Sequence, residues 1–400
     1  MNSTHPTISS PTPEPPFVSG WFALFAIYAT NLGVGILFGF QPPLIALVLH
    51  REGISGLAIG AITSIATIAV ILLGPWYPKL LRSLGLRKSI AYGILLAAAL
   101  QFVMPLNTSP GFWLILRFIS GCGLGLAWIG TEVWLNRIAT DRTRGRMMAT
   151  YATVFAAGVL TGPLLLQWTG TEGSRPFYIG AAALVLTVLP LACLRRGPDG
   201  VVDDQEPTSF MGILRVAPTV MLAALTAGLI EAADISLLPV YGVASGLSEN
   251  TALQLVSIFL LGNVLLQLPI GALSDRFGRK RILAACALVS VIGPLLLPLG
   301  MSLPALLWPL LFIWGGTMYG FYTQGIALVG DSYAPHDLAH ANTVFVMVYC
   351  AGGVVGPSLG GFGMDIWRPT GLVVTLSAAA LILWVGLCWE YLRSTRVSRG

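Results

Sequence analysis

The chain has 400 residues, of which 55% are hydrophobic and only 10% charged, and its mean hydropathy is +0.80. Soluble domains carry about 25% charged residues, so this composition excludes a soluble protein and indicates that the lipid bilayer is the solvent. The net charge of +5 is explained by the loops between apolar segments and does not indicate a nucleic-acid partner.

Long apolar segments recur through the chain, and each can cross a hydrocarbon core as a helix, which takes about 20 residues. Transmembrane β-strands are shorter and alternate in polarity, so the pattern predicts an all-α polytopic membrane protein. We predict twelve transmembrane helices, near residues 21–45, 55–76, 89–106, 111–135, 149–169, 177–194, 216–243, 252–273, 282–300, 304–329, 341–362 and 370–391.

The basic residues divide unequally between the two sides of these helices. With the N-terminus inside, 18 Lys and Arg residues fall in inner loops or in the C-terminal tail, and only Arg51, Arg175 and Arg368 fall outside. Basic residues are retained on the cytoplasmic side of a membrane. The split predicts an even number of helices with both termini in the cytoplasm. We expect a multi-pass protein of the plasma membrane, of the bacterial inner-membrane type.

The two halves of the chain are copies of one unit. The segment that ends at Pro163 (YATVFAAGVLTGP) aligns without gaps with the segment that ends at Pro357 (FVMVYCAGGVVGP), at an offset of 194 residues. Repeats of this size are typical of transporters that alternate access to a central site. We predict a disordered tail at 1–18, six-helix bundles at 19–194 and 216–392, a cytoplasmic central loop at 195–215 and a cytoplasmic tail at 393–400.

Four charged side chains lie inside predicted helices and at least three residues from a helix end, where a charge is costly and usually faces a cavity or a partner. Arg117 and Glu132 lie on helix 4, and Glu231 and Asp234 lie one turn apart in the middle of helix 7. A close pair of carboxylates favours proton binding near neutral pH, so either acid of helix 7 is a candidate for proton coupling or for holding a substrate's charge. The alternatives for the helix 7 acids are a static ion pair with Arg117 or a hydrogen bond within the helix bundle. For Glu132 the alternative is a gate contact with a loop arginine such as Arg137.

A short basic segment, Gly271–Arg281 (GALSDRFGRKR), joins predicted helices 8 and 9. Its glycines permit a sharp turn, its aspartate can cap a helix or pair with the arginines around it, and its basic residues hold it in the cytoplasm. We expect a gating loop whose functional residues are Gly271, Asp275, Arg276, Gly278 and Arg279.

Glycines four residues apart, followed by a proline, occur on predicted helices 5 and 11. Such spacing makes a flat groove along one helix face, and proline bends a helix. The pattern suits helices that slide between two states, and it equally suits plain tight packing. The residues concerned are Gly158, Gly162, Pro163, Gly352, Gly356, Pro357, Gly360 and Gly361.

Together these patterns resemble the signatures of the major facilitator superfamily of secondary transporters, across both halves of the chain. The segment Gly271–Arg281 resembles the superfamily's loop between helices 8 and 9, Arg117 with FISGCGLG resembles its intramembrane arginine, and GGVVGPSLGG from Gly352 resembles its proton-antiporter motif. The first half departs from the loop pattern, since Arg82 stands where the second half has Asp275. The resemblance implies two pseudo-symmetric six-helix bundles with a cavity lined by helices 1, 4, 7 and 10. Besides the helix 7 acids, this favours Asn31, Trp128, Tyr322 and Gln324 as cavity-lining residues.

We expect a secondary transporter that works by alternating access and exports a small amphiphilic solute or drug in exchange for protons, because aromatic walls with few fixed charges suit such a solute. A proton-linked importer or a uniporter of a small metabolite is one alternative, and a membrane sensor that moves no solute is another. No GxxxxGK[ST] or HExxH motif occurs, so we expect no enzyme, no cofactor and no metal. The expected partners are the lipid bilayer, the small-molecule substrate and protons, and we expect a monomer.

Overall fold

The computed structural model describes residues 20–194, 210–334 and 337–397, and these residues form helices and no strand. The predicted tail at 1–18 and most of the predicted central loop lie outside the described residues, as do residues 398–400 of the predicted C-terminal tail. The described part of that tail, up to Val397, continues the last helix.

Each half of the chain forms seven helices within the described residues. The first half forms α1 (Gly20–Arg51), α2 (Gly56–Leu73), α3 (Tyr77–Leu84), α4 (Leu86–Val103), α5 (Pro110–Ile138), α6 (Asp141–Thr169) and α7 (Arg175–Ala192). The second half forms α8 (Phe210–Val216), α9 (Pro218–Ala244), α10 (Glu249–Phe277), α11 (Arg279–Ser302), α12 (Pro304–Ser332), α13 (Leu338–Ile366) and α14 (Gly371–Val397). All except α3 and α8 have at least 18 residues, and each predicted transmembrane segment falls on one of these twelve.

Eleven helical stretches among the described residues are long and apolar enough to cross a membrane. The remaining long helix, α12, has 29 residues, but its middle (WGGTMYGFYTQG from Trp314) contains glycine, tyrosine and glutamine, which lower its mean hydropathy. Large apolar side chains cover the outside of the protein; Leu268 is 85% exposed and Leu106 is 75% exposed. Such a surface fits lipid as the surrounding solvent.

The segment predicted as a gating loop is almost entirely helical. α10 continues to Phe277, α11 begins at Arg279, and Gly278 alone joins them with φ of 93°. Gly85 makes the equivalent connection between α3 and α4 with φ of 78°. Positive φ at these values is open to glycine and strained for other residues, so the sharp turn depends on these two positions. The connection is shorter than the predicted loop, because the last turns of α10 are polar but still helical and extend beyond its apolar stretch.

The paired glycines bring helix backbones into contact within each half. α6 packs against α1, and α13 packs against α9 in the equivalent way. A Cβ at Gly158 would lie 2.5 Å from the carbonyl oxygen of Leu32, and a Cβ at Gly352 would overlap the carbonyl oxygen of Leu225. Only glycine allows this approach. The same holds one turn further on, at Gly162 and Gly356.

The two halves meet along α2 with α13, α6 with α10 and α1 with α9. They are joined by polar contacts at the end that carries Asp365, which we call the Asp365 end; the opposite end is the Gly278 end. The Asp365 carboxylate accepts hydrogen bonds from the backbone N–H groups of Gly56 at 2.7 Å and Leu57 at 2.9 Å, the first residues of α2. Arg51 pairs with Glu249, the first residue of α10, at 2.8 Å.

Candidate functional site

A cavity of about 140 Å³ lies between the two halves. Its size is close to the roughly 150 Å³ of an engineered cavity that binds benzene. Helices α1, α2, α5 and α6 line it from the first half, and α9 and α13 line it from the second. Its charged and aromatic lining residues are Phe38, Arg117, Trp128, Phe155, Glu231 and Tyr349.

Glu231 is the carboxylate on the cavity wall. The hydroxyl of Tyr319 on α12 donates to its Oε1 atom at 2.7 Å, and the hydroxyl of Tyr349 on α13 donates to Oε2. Within residues 20–194, 210–334 and 337–397, no basic side chain pairs with it. The tyrosines therefore hold a carboxylate at the cavity without neutralising it.

Asp234 lies one turn further along α9 and behind the cavity wall. Its side chain is fully buried, and neither carboxylate oxygen has a hydrogen-bond partner among the described residues. It is not among the residues that line the cavity. The two acids of predicted helix 7 therefore lie close together, but only Glu231 reaches the space in which a solute could bind.

Arg117 faces the same cavity from α5 and is 4% exposed. Its Nη1 group donates to Oε1 of Gln41, and its Nη2 group donates to the carbonyl oxygen of Thr63 at 2.7 Å. The ion pair with Glu231 or Asp234 that the sequence left open is not formed in this structure. The guanidinium is held by neutral acceptors from α1 and α2.

Of the four residues expected to line the cavity, the structure brings Trp128 to its wall. Asn31 is fully buried and donates to the carbonyl oxygen of Tyr151 at 2.7 Å, which ties α1 to α6. Gln324 accepts a hydrogen bond from Ser274 and ties α12 to α10. Tyr322 lies behind Tyr349. The acid Glu132 lies nearer the Gly278 end of α5, partly buried and outside the cavity lining.

Aromatic rings form the first-half wall of the cavity, and sequence reasoning singled out only one of them. Phe38, Trp128 and Phe155 pack with ring centroids 5.6–6.0 Å apart. The internal repeat carried a signal for Phe155, because the offset of 194 places it at the position equivalent to Tyr349, which also lines the cavity. Phe38 carried no such signal, since its equivalent in the second half is Glu231.

The sequence pattern that defines the Major Facilitator Superfamily matches residues 20–256 and again residues 220–399. The chain belongs to this superfamily. The two matches cover the described helices of both halves, so the predicted all-α superfamily fold is confirmed, and the twelve long helices are consistent with the predicted count. The protein is a multi-pass membrane transporter of the superfamily type, with the bilayer and a small molecule as partners, and not an enzyme.

Relatives and solved structures agree with this assignment. The MFS-type transporter YfkF of Bacillus subtilis is 24% identical over 358 residues, which cover 88% of this chain and 91% of YfkF. The crystal structure of the nucleoside transporter NupG superposes with a TM-score of 0.75 at 17% identity, over 92% of this chain and 99% of NupG. A bacterial homologue of the human lysosomal transporter Spinster, in an inward-facing and unoccupied conformation, superposes with a TM-score of 0.75 at 14% identity, over 95% of this chain and 98% of that chain.

In this superfamily member the basic segment at the Gly278 end lies against the neighbouring helices of its own half. Arg279 donates to the carbonyl oxygen of Ala327 at 2.9 Å and pairs with Asp331 at 2.6 Å, both on α12. Arg276 lies over the ring of Phe277. Asp275 is exposed and Gly271 has open space at its Cβ position, so neither is fixed by a neighbour here.

The last glycines of the α13 motif lie at the Asp365 end. A Cβ at Gly361 would overlap the backbone of Gly56 on α2, so this glycine serves the contact between the halves. A Cβ at Gly360 would lie 2.9 Å from Leu372 on α14. Pro163 and Pro357 lie inside the continuous helices α6 and α13. In the described part of the chain, no group of three or more His, Cys, Asp or Glu residues could hold a metal ion.

Proposed function

We propose that this transporter exports a small amphiphilic solute in exchange for protons. The observation that carries the proposal is Glu231, a carboxylate on the wall of a largely apolar cavity, which two tyrosines bind and which has no basic partner among the described residues. A carboxylate held in the membrane interior is costly unless it takes up a proton or a cation. An acid that changes its charge inside a transport cavity can link proton movement to solute movement.

Alternating access would expose Glu231 and Asp234 first to one side of the membrane and then to the other. We take the Asp365 end as the outer one, from the distribution of basic residues, so that both termini are cytoplasmic and the closed outer end supports an inward-facing state. We also propose that the transporter lies in the bacterial inner membrane and acts as a monomer. Proposed roles in coupling or substrate binding go to Arg117, Glu132, Glu231 and Asp234, and roles in gating go to Gly271, Asp275, Arg276, Gly278 and Arg279.

Solute-dependent proton movement in proteoliposomes with a reversible pH gradient tests this function. Amphiphilic drugs, sugars and organic acids would be compared in wild type and in Asp234→Asn. We expect one class of solute to drive proton movement in wild type and to lose that coupling in the variant. Solute movement with no proton movement would indicate a uniporter, movement of both in the same direction an importer, and no flux of any kind a sensor.

The contact between Asp365 and the start of α2 should stabilise the closed outer end. An anion at a helix N-terminus contributes about 0.3–1 kcal/mol, and up to about 2 kcal/mol when partly buried. We therefore expect Asp365→Asn to raise the population open at this end by about threefold to tenfold. The measurement is the spin-label distance between Leu106→Cys and Leu303→Cys, which lie on opposite halves at this end, in a background without native cysteines.

Glu52→Gln is the matched control for this prediction. Glu52 is an exposed acid at the same end, and its carboxylate makes no hydrogen bond or ion pair with another described residue. We expect its distance distribution to match that of wild type. An unchanged distribution in Asp365→Asn, or an equal change in both variants, would contradict a role for the helix contact.

A further inference from the structure

Under the internal repeat, each acid of α9 is equivalent to a neutral residue of α1. Gly35 and Gly228 both pack against a backbone oxygen of the partner helix, that of Phe155 in the first half and that of Tyr349 in the second. This fixes the register between α1 and α9 at an offset of 193. At that offset, Glu231 corresponds to Phe38 and Asp234 corresponds to Gln41.

The partner of Gln41 has no counterpart in the second half. Gly121 and Gly315 pack against the backbone oxygens of Ala66 and Phe259, which fixes the register between α5 and α12 at an offset of 194. In the first half, Arg117 donates to Gln41. Its counterpart at position 311 is a fully buried leucine. Asp234 therefore occupies the position of an arginine acceptor in a half that lacks the arginine.

The absence of an arginine partner determines the charge on Asp234. An ionised carboxylate that is buried without a hydrogen bond or a cation is strongly disfavoured, and such a group takes up a proton instead. The side chain is fully buried and both oxygens lack a partner among the described residues. Asp234 is thus expected to hold a proton in this state of the transporter.

Few other charged groups face Asp234 from the surrounding helices. Stretches 29–49 of α1, 56–73 of α2, 250–274 of α10 and 371–387 of α14 contain no titratable side chain. α9 itself contributes Glu231 and, two turns away, Tyr241. α12 contributes Tyr319, α13 contributes Tyr349 and Cys350, α8 contributes only Arg215 near the Gly278 end, and Arg117 lies across the cavity. The charge on Asp234 is therefore governed mainly by what binds at Glu231.

Glu231 has the opposite environment. Two tyrosine hydroxyls donate to its oxygens, an arrangement that suits an ionised carboxylate. The rings of Phe38, Trp128 and Phe155 line the same cavity. Aromatic faces attract cations, and apolar rings bind an apolar body. The cavity thus offers a negative charge at Glu231 beside an aromatic wall, while the guanidinium of Arg117 across the cavity is bonded to Gln41 and Thr63. The Glu231 side is the complement of an organic cation that carries a ring.

We propose that the two acids divide the work of transport: Glu231 binds the positive charge of a small aromatic cation, and Asp234 carries the proton exchanged for it. This inference rests on the proposed function and names its substrate class. When the cation binds beside Glu231, its field favours ionisation of Asp234, one turn away. Asp234 then changes from the neutral acid to the carboxylate, and one proton is released to the solvent for each cation bound. Loss of the cation reverses the step.

Calorimetric titration of the full-length protein with phenyltrimethylammonium tests this division. The probe is a permanent cation, so any proton released comes from the protein, and titrations in two buffers of different ionisation enthalpy count that proton. Wild type is expected to release about one proton per cation bound near neutral pH. Asp234→Asn is expected to bind the cation and release none. Glu231→Gln is expected to bind it at least about tenfold more weakly, because the charge partner is gone.

Two controls keep the result independent of folding. Glu52→Gln removes a carboxylate that is exposed at the Asp365 end and does not line the cavity, and it should match wild type in both affinity and proton count. In wild type alone, the neutral and similarly sized N,N-dimethylbenzamide should bind at least about tenfold more weakly than the cation. That comparison stands even if Glu231→Gln does not fold.

Three results would overturn the inference: proton release that persists in Asp234→Asn, undiminished affinity in folded Glu231→Gln, or equal binding of the cation and the neutral amide, including no binding of either. These outcomes differ from a failure of the proposed function. Proton-coupled flux of a neutral solute in proteoliposomes, together with no preference for the cation, would overturn only the substrate class and the division of work. No coupled flux of any solute would overturn the proposed function itself.

Discussion

Glu231→Gln is expected to reduce solute-driven proton movement in proteoliposomes by about 30-fold or more. Glutamine keeps the volume of the side chain and can still accept a hydrogen bond from Tyr319 or Tyr349. What it removes is the charge, and loss of one member of a desolvated charge pair costs about 2–5 kcal/mol. The initial rate of proton movement after solute addition, at equal protein per vesicle, measures the effect.

Glu52→Gln is a matched control for this loss. It makes the same chemical change at an acid that is exposed at the Asp365 end and does not line the cavity. We expect rates equal to those of wild type, because this carboxylate is remote from the transport site. Wild-type rates in Glu231→Gln, or equal losses in the two variants, would contradict the assignment of Glu231 to the transport site.

Gly352→Ala is expected to destabilise the second half by about 2–3 kcal/mol, the range for an overpacked interior. The new Cβ would overlap the carbonyl oxygen of Leu225 and lie 2.9 Å from the backbone nitrogen of Leu229. Both atoms belong to the backbone of α9, so no side chain can turn away. The midpoint of thermal unfolding in detergent should fall accordingly.

Gly353→Ala is the neighbouring control on the same helix. A Cβ there would lie 3.8 Å from the carbonyl oxygen of Gly228 and 3.9 Å from the Cβ of Ala232, which is ordinary contact. We expect a stability equal to wild type, or a gain of up to about 1 kcal/mol from the better helix propensity of alanine. A normal melting midpoint in Gly352→Ala would show that α13 can move away from α9 at little cost.

The architecture could be predicted from the sequence because the bilayer imposes length and polarity on every segment that crosses it. Segment 252–273 shows both the strength and the limit of this reasoning. The helix is present, but α10 extends from Glu249 to Phe277, because its polar ends continue past the apolar core. Only the turn at Gly278 requires a residue that tolerates positive φ, and the glycine in the sequence indicates where that turn lies.

The candidate site was less predictable, because its geometry depends on contacts between distant segments. Spacing alone placed Glu231 and Asp234 on one face, yet residues three apart are still about 60° apart around a helix, and packing leaves only the first on the cavity wall. The tyrosines that bind Glu231 lie 88 and 118 residues away in sequence. The polarity of Asn31 and Gln324 predicts that they line the cavity, but each instead joins two helices through a hydrogen bond.

Alternating access requires a cavity that opens in turn to the two sides of the membrane. Cys350 lies on the cavity wall, so its accessibility to a reagent reports directly which side is open. The measurement is the labelling of Cys350 by a membrane-impermeant maleimide, applied to one face at a time in oriented vesicles, with the other four cysteines replaced. We predict labelling from the cytoplasmic face at rest, and labelling from the outer face that appears only when a solute and a pH gradient drive turnover. Labelling from both faces at rest, or none from the outer face during measured transport, would contradict alternating access at this cavity.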